Sequence, residues 1–165
     1  MDNMTLKPIQ TAQDVAALIP LLQRIWREVF SPLMSAGQLE YMLRTYQGAD
    51  TILQDIESGT QYFFIVQDGA AIGYTAYALM PEYLFYSKIY LLSSARGKGL
   101  SSRLFTHVEN VAKSAGKPKI HLHVCRLNKN AVEVYLHRGF QIVNTIDTPI
   151  GEGYFLVDYW MEKTL

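Results

Sequence analysis

A glycine-rich segment between two apolar runs is the feature of this chain that could most directly do chemistry. Residues 94–101 read SARGKGLS, after the apolar residues 89–92 and before residues 100–115, whose apolar side chains recur at helical spacing. A strand, a glycine-rich turn and a helix present main-chain N–H groups to a phosphate, and glycine lets the backbone come close to the ligand. Arg96 and Lys98 add positive charge. The segment predicts a phosphate-binding loop.

Two widespread phosphate motifs do not fit this segment. In a Walker A loop, Leu92 would stand at the first glycine, and Gly99 would stand where Ser or Thr is needed. In a dinucleotide fingerprint, Ser102 would replace the third glycine. A simple strand-to-helix turn stays open as the alternative for residues 97–99.

A second motif follows further along the chain. Residues 128–131 read NKNA, and residues 135–140 read YLHRGF. Together the two motifs resemble those of the GCN5-related N-acetyltransferases (GNAT), with Gly97 and Gly99 in the pyrophosphate loop. Ser94 stands where that family has Gln or Arg. The later elements of the family motif correspond to Asn128, Ala131, Tyr135, Gly139 and Phe140.

The order of the elements agrees with this resemblance. Hydrophobic periodicity and turn residues predict strands over 6–9, 62–66, 72–79, 83–92, 119–125, 141–147 and 154–161, and helices over 11–30, 38–46, 50–57, 100–115 and 128–138. We expect one domain, residues 1–165, of mixed α/β (α+β) class. The resemblance implies the GNAT fold, with a mostly antiparallel sheet of about seven strands, splayed between strands 4 and 5 and flanked by helices.

The resemblance also implies acetyl-CoA as co-substrate. The main-chain N–H groups of residues 96–101 would hold its pyrophosphate, strand residues 90–92 would face its pantetheine arm, and Asn128 would contact that arm as well as cap a helix. The candidate cofactor-binding residues are Tyr90, Leu91, Leu92, Arg96, Gly97, Lys98, Gly99, Leu100, Ser101, Asn128, Ala131, Tyr135 and Arg138.

Tyr135 is the candidate catalytic acid. Coenzyme A leaves as a thiolate, and a phenol beside the sulfur can donate a hydrogen bond or a proton to it. In related enzymes the tyrosine at this position has that role. The alternative is a core aromatic side chain on an amphipathic helix.

His123 is the candidate general base, because a protonated amine must lose a proton before it attacks. His121, His123 and Cys125 alternate along one predicted strand and share a face. Glu82, Tyr86 and a water chain stay open as alternatives. We expect no metal site, since His121 and His123 lack an evident third ligand. Cys125 could carry the acyl group, but direct transfer is usual in the family.

The acceptor is predicted to be a small primary amine, with a polyamine favoured. Residues 28–30, 61–65, 73–74 and 161–165 resemble the bacterial spermidine/spermine acetyltransferase branch. A polyamine site needs carboxylates, and the candidates are Glu82, Asp147, Glu152 and Asp158. Arg126, in the segment before Asn128, departs from the acidic character of that branch. A peptide or protein amine, an amino acid and an antibiotic remain alternatives, as does a non-catalytic acyl-CoA sensor, against which Tyr135 weighs.

Composition limits the partners. Fifteen basic and fifteen acidic residues balance, which disfavours nucleic acid and anionic membrane. The single cysteine and a start without a visible secretory signal indicate a cytoplasmic protein. Many relatives form dimers through edge or C-terminal strands. A homodimer could use an aromatic surface, although a core role for most of its candidates is favoured; they are Tyr154, Phe155, Tyr159 and Trp160.

Overall fold

The structure, a computed structural model, describes residues 4–165. Residues 1–3, on which the expected absence of a secretory signal partly depends, lie outside the described residues. The elements in chain order are β1 Met4–Ile9, α1 Ala12–Phe30, α2 Ala36–Thr45, α3 Ala49–Glu57, β2 Gln61–Gln67, β3 Ala70–Leu79, β4 Leu84–Leu91, a 3₁₀ turn Ser93–Ala95, α4 Leu100–Ser114, β5 Lys119–Cys125, α5 Lys129–His137, β6 Gln141–Gly151 and β7 Tyr154–Thr164.

The strands form one seven-stranded sheet in the order β1-β2-β3-β4-β5-β7-β6. The pairs β1/β2, β2/β3, β5/β7 and β6/β7 are antiparallel, and β4/β5 is parallel. In the described chain the β4/β5 register comprises only two pairs, Leu84 with Ile120 and Phe85 with His121. The predicted mixed α/β fold, with a mostly antiparallel sheet that opens between strands 4 and 5, is confirmed.

Backbone contacts divide the chain into two compact units. The first unit is the chain up to Ala78 together with Lys88–His107, and the second is Leu79–Ser87 together with Val108–Leu165. The expectation of a single domain over residues 1–165 stays a prediction.

In the first unit, α1 begins where its sequence predicts. The Thr11 hydroxyl accepts a hydrogen bond from the Asp14 N–H at 3.0 Å, and the Asp14 carboxylate accepts one from the Thr11 N–H at 3.1 Å. This reciprocal capping box satisfies N–H groups that the first turn leaves without helical partners. The face that α1 buries comprises Val15, Leu18, Leu22, Ile25, Trp26 and Phe30.

The hairpin of β2 and β3 also follows from its sequence. Asp68 and Gly69 link the two strands with φ angles of 52° and 80°. Positive φ at both central residues is the requirement of a type I′ turn, which matches the twist of the flanking strands. The Asp-Gly pair therefore fixes this connection.

In the second unit, β6 is longer than predicted. It runs from Gln141 to Gly151 instead of ending at Asp147, and β7 runs to Thr164 instead of Met161. Pro149 lies within β6, which stands last in the sheet order, and the register shifts between Pro149 and Gly151. An outer strand tolerates a residue without an N–H group, especially beside a bulge.

Candidate functional site

The glycine loop lies in the first unit, between β4 and α4. Gly97 and Gly99 have φ angles of 75° and 76°. A Cβ atom at either position would meet nothing within 4 Å, so backbone conformation and not packing requires glycine there. Leu100 begins α4 and is buried, and the first turn of that helix carries no acidic side chain. The loop thus leads directly into a helix N-terminus, where N–H groups favour an anion.

Arg96 stabilises the start of this loop. Its Nε and Nη2 atoms donate to the main-chain oxygen of Leu91 at 3.1 and 2.9 Å. Its Nη2 also lies 3.8 Å from the carboxylate of Glu28. The guanidinium therefore ties the loop to the end of β4, whereas Lys98 is exposed.

The strand residues predicted to face the cofactor differ in where their main-chain groups point. The Leu92 N–H donates to Ile72 of β3 at 2.8 Å, and the main-chain oxygen of Tyr90 lies against Gly73 of β3. Successive residues of a strand direct their main-chain groups to opposite sides. The main-chain groups of Leu91 consequently point away from β3, and its oxygen accepts from Arg96.

The Tyr90 ring belongs to an aromatic cluster of the first unit. It lies 5.4 Å from the Tyr74 ring, 5.8 Å from the Trp26 ring and 6.1 Å from the Phe30 ring. The Trp26 indole N–H donates to the Tyr74 hydroxyl at 2.7 Å. These contacts hold β4 in place beside α1.

In the second unit, Asn128 is the N-cap of α5. Its side-chain oxygen accepts a hydrogen bond from the Ala131 N–H at 3.3 Å. The capping role expected of an asparagine before a helix is therefore present, and it places Ala131 in the first turn.

Tyr135 lies on α5 and is partly buried. Its ring contacts Phe140, with ring centroids 6.0 Å apart. Burial raises the pKa of its phenol to about 12. The side chain is therefore protonated at neutral pH and can act as a hydrogen-bond donor.

Arg138 follows α5 and is held by an acidic side chain of α4. Its guanidinium donates to Glu109 at 3.0 Å, and Lys163 pairs with the other oxygen of the same carboxylate. The Arg138 side chain retains 26% exposure. The predicted role of Arg138 in cofactor binding stays a prediction.

The two histidines of β5 lie on one face, as their alternation predicts. The Nε2 atoms of His121 and His123 are 2.9 Å apart. His121 Nδ1 lies 2.8 Å from Oε2 of Glu162, and the His123 ring stacks on Trp160 at 4.6 Å and 11°. His121 is buried and His123 exposed.

Sequence reasoning missed Glu162 and Trp160 as partners of these histidines. In the register of β5 and β7, His121 stands opposite Glu162 and His123 opposite Trp160. Side chains of directly opposite residues share a face and touch. The missing signal was the strand register, which no local pattern of this segment fixes.

Other candidate bases and carboxylates occupy different environments in the second unit. Tyr86 is 2% exposed, whereas Glu82 and Glu152 are exposed. Arg126 pairs with Asp147 at 2.7 Å and donates to the main-chain oxygen of Asp158 at 3.2 Å.

Burial acts on two further groups of this unit. It raises the pKa of the Asp158 carboxyl, and it also raises the pKa of the half-buried Cys125 thiol. Both groups therefore favour their protonated forms more than they would in water.

No group of three metal-ligating side chains is assembled within residues 4–165. The two nitrogens of His121 face different partners, Glu162 and His123, so these three side chains do not converge on one point. Within the same residues, no helix is both long and apolar enough to cross a membrane.

The aromatic side chains proposed for a dimer surface differ in exposure. Phe155 is 50% exposed, whereas Trp160 stacks on His123 and Tyr159 lies 6.0 Å below the Arg126 guanidinium. A homodimer through these residues stays a prediction.

The opening between β4 and β5 and the glycine loop at the start of α4 agree with the fold that the resemblance implies. A model of the acetyltransferase (GNAT) family matches residues 18–140. Because this match covers most of the chain, the protein belongs to that family.

Solved structures with the same fold cover nearly the whole chain. PaiA N-acetyltransferase from Thermoplasma acidophilum, in complex with coenzyme A, is similar with a TM-score of 0.80 and 19% identity, over 99% of both chains. A GCN5-related N-acetyltransferase from Rhodopseudomonas palustris gives 0.79 and 18%, over 98% of this chain and 95% of that one. A GNAT family acetyltransferase from Elizabethkingia anophelis, with acetyl-CoA bound, gives 0.64 and 13% over the whole of both.

At these identities the likeness establishes the fold, and the family match establishes the class of enzyme. The predicted family, fold and N-acetyltransferase class are therefore confirmed.

Proposed function

We propose that this protein transfers an acetyl group from acetyl-CoA to the primary amine of a small molecule. The observation that carries the proposal is the loop of Gly97 and Gly99, whose positive φ angles lead into α4 in a chain of the GNAT family. The similar structures from Thermoplasma acidophilum and Elizabethkingia anophelis hold coenzyme A and acetyl-CoA. These complexes support acetyl-CoA as the donor here.

The pyrophosphate of acetyl-CoA would accept hydrogen bonds from the main-chain N–H groups of residues 96–101. Such groups favour an anion without a matching side chain, so Ser94 at the usual Gln or Arg position is tolerated. Lys98 is exposed and can add a contact to a phosphate. Arg96 contributes by holding the loop to Leu91.

The pantetheine arm would pair with the main chain of β4. Of the three predicted residues, Leu91 directs its main-chain groups away from β3, whereas Leu92 and Tyr90 face β3. Leu91 is therefore the residue whose N–H we assign to this pairing. A main-chain N–H aimed at the acyl oxygen would also stabilise the negative charge that develops there.

Tyr135 would stabilise the leaving thiolate. Its pKa of about 12 exceeds the pKa of an ordinary thiol, about 8.5. Complete proton transfer from this phenol to the sulfur is therefore uphill, and Tyr135 acts first as a hydrogen-bond donor to the developing negative charge. That interaction is stronger in the transition state than with the thioester, which is the condition for catalysis.

His123 would take the proton that the acceptor ammonium must lose. It is exposed on β5, whereas the alternative base Tyr86 is almost completely buried. An imidazole changes its protonation close to neutral pH, which suits it to this exchange.

Acetyl transfer would be direct, without a cysteine intermediate. The nucleophilic form of a cysteine is its thiolate. Burial raises the pKa of Cys125 and disfavours that form. Replacing Cys125 with Ser should therefore leave turnover within about twofold of the unmodified enzyme.

A polyamine is the acceptor that we favour among small amines. Its cationic nitrogens require carboxylates, and Asp147 is already paired with Arg126 at 2.7 Å. Asp158, Glu82 and Glu152 are the remaining candidates. The negative charge of these carboxylates would determine how much a second or third cationic nitrogen strengthens binding of the acceptor.

The acceptor is identified by thiol release from acetyl-CoA across spermidine, spermine, amino acids, aminoglycosides and short peptides. We expect the highest kcat/KM with a polyamine. If the enzyme prefers another amine, the proposed acetyl transfer stands, but a polyamine is excluded as the preferred acceptor. Binding of acetyl-CoA by calorimetry without turnover on any amine would favour the non-catalytic acyl-CoA sensor, and absence of binding would refute the proposed function.

A further inference from the structure

We propose that Glu162 and His121 are positioning residues that fix the tautomer of His123 and share the proton it accepts. The inference rests on the proposed function, since it concerns how the base of that reaction is prepared. It arises from a continuous line of hydrogen bonds that runs from a carboxylate through a buried imidazole to an exposed one.

The geometry of this line is close throughout. Oε2 of Glu162 lies 2.8 Å from Nδ1 of His121, and Nε2 of His121 lies 2.9 Å from Nε2 of His123. His121 is 8% exposed, so water competes weakly for its nitrogens. Each partner of His121 is thus close enough to determine whether one of its two ring nitrogens carries a proton.

The chemistry of the three groups determines where the protons lie. An ionised Glu162 can only accept, so Nδ1 of His121 carries a proton. In a neutral His121, Nε2 then accepts, and Nε2 of His123 must donate to it. A neutral His123 consequently has its acceptor lone pair on Nδ1, which becomes the basic nitrogen.

The neighbouring groups keep Glu162 ionised. Its partial burial acts in the opposite direction, but hydrogen bonds from His121 and Lys119 hold the pKa of this carboxyl below its ordinary value. Lys119 contacts Oε1 at 3.1 Å and leaves Oε2 to His121. The carboxylate therefore accepts from Lys119 and from His121 at different oxygens.

Aromatic rings fix the orientation of the imidazoles. The His123 ring stacks on the Trp160 ring, and the centroid of the Phe85 ring lies 5.0 Å from that of the His123 ring. Tyr83 lies 5.2 Å from His121. Among the titratable or charged groups that face the pair are Glu162 from β7, Lys119 from β5 and Tyr83 from the segment before β4.

The proton transfer balances without another reactant. An N–H bond of the acceptor ammonium breaks as a bond forms to Nδ1 of His123, and the freed electron pair attacks the acetyl carbon. The positive charge spreads as the Nε2 proton of His123 moves toward His121, whose Nδ1–H faces the negative Glu162. As the C–S bond breaks, the thiolate takes the second amine proton, and His123 returns the first to solvent.

Two variants with opposite charge effects test this arrangement. Glu162→Gln removes the negative charge, so the pH at which kcat/KM reaches half its plateau should fall by about half to one unit, and the plateau by roughly tenfold. Lys119→Gln removes the positive charge from the same carboxylate, and that pH should rise. A purely structural role would not produce shifts of opposite sign.

Acetyl-CoA affinity and melting temperature serve as controls for folding, and both should change little in Lys119→Gln. Unchanged pH profiles in both variants, or losses of rate that follow only the loss of stability, would overturn the proposal. His123→Ala with undiminished turnover would overturn it while leaving acetyl transfer intact.

A spectroscopic readout is independent of turnover. In the unmodified protein, ¹⁵N NMR should show neutral His123 protonated at Nε2 and unprotonated at Nδ1, and Glu162→Gln should mix the tautomers. A mixture already present in the unmodified protein would contradict the proposal. This readout holds even if no acetyl transfer is found, so failure of the relay and failure of the proposed function are distinguishable.

Discussion

The carboxylate of Glu28 in α1 accepts two hydrogen bonds from Ser93, one from its main-chain N–H at 3.0 Å and one from its hydroxyl at 3.3 Å. Ser93 opens the 3₁₀ turn that precedes the glycine loop. A side chain of the first helix therefore holds the start of the predicted phosphate site, and the same carboxylate lies 3.8 Å from Arg96.

Glu28→Gln should weaken acetyl-CoA binding, because it removes the negative charge that holds Ser93 and Arg96. We expect Kd to rise by about three- to tenfold, in line with the loss of one charge-assisted hydrogen bond. Calorimetry measures the change. Glu40→Gln is the matched control, since Glu40 pairs with Arg27 on an exposed surface at 2.9 Å. Equal effects in the two variants would contradict a specific role for Glu28.

Gly99→Ala should reduce both stability and cofactor affinity. A φ of 76° in a residue with a Cβ atom costs about 1 kcal/mol or more, and the loop would relax away from its N–H arrangement. We expect Kd for acetyl-CoA to rise by at least about tenfold.

Gly116→Ala is the control for the backbone strain. Gly116 has a φ of 73°, with open space around its missing Cβ, at the end of α4. Denaturant unfolding should show a similar stability loss for both variants, with unchanged affinity only in Gly116→Ala. Normal affinity in Gly99→Ala would remove the loop from the binding site.

Gly73→Ala tests the close approach of β3 and β4. A Cβ atom at Gly73 would overlap the main-chain oxygen of Tyr90, which cannot move aside as a side chain can. We expect a loss of about 1–3 kcal/mol in the free energy of unfolding. Because Leu91 would be displaced, KM for acetyl-CoA should also rise. Ala71→Ser, at an exposed position of the same strand, should leave both quantities nearly unchanged.

Tyr135→Phe should lower kcat by about a hundredfold with little change in acetyl-CoA affinity, since the hydroxyl acts on the leaving thiolate. Tyr46→Phe, at an exposed position, is the control. A kcat equal in both variants would exclude Tyr135 from the mechanism.

The unmodified protein and Tyr135→Phe should also differ in stability at alkaline pH. The pKa of Tyr135 rises from 10.0 to about 12 in the folded state. Its contribution to stability is complete below the lower value and is lost as the pH rises through the upper one. Relative to Tyr135→Phe, the unmodified protein should therefore lose stability across that interval. If the free energy of unfolding of both proteins changed with pH in the same way, that result would contradict the raised pKa of Tyr135.

Much of the fold could be predicted because its signals are local. The capping box of Thr11 and Asp14, the Asp68-Gly69 turn and the Asn128 cap each depend on residues within a few positions. The extension of β6 through Pro149 could not be predicted, since it depends on the strand standing at the outer position of the sheet.

The candidate site could be predicted only in part, because some of its contacts join residues that are far apart in the chain. The glycine loop and the shared face of His121 and His123 follow from spacing along the chain. The partner carboxylates do not: Glu28 reaches Ser93 over 65 positions, and Glu162 reaches His121 over 41. Such contacts arise from strand register and helix packing, which no short motif encodes.

The central claim, direct acetyl transfer from acetyl-CoA to an amine, is tested most directly by following an isotope-labelled acetyl group. The protein is incubated with labelled acetyl-CoA and the amine panel, and both protein and amines are examined by mass spectrometry. We predict one labelled acetyl group on an amine for each thiol released, and no label on Cys125. Label retained on Cys125, or thiol release without any acetylated amine, would contradict the account.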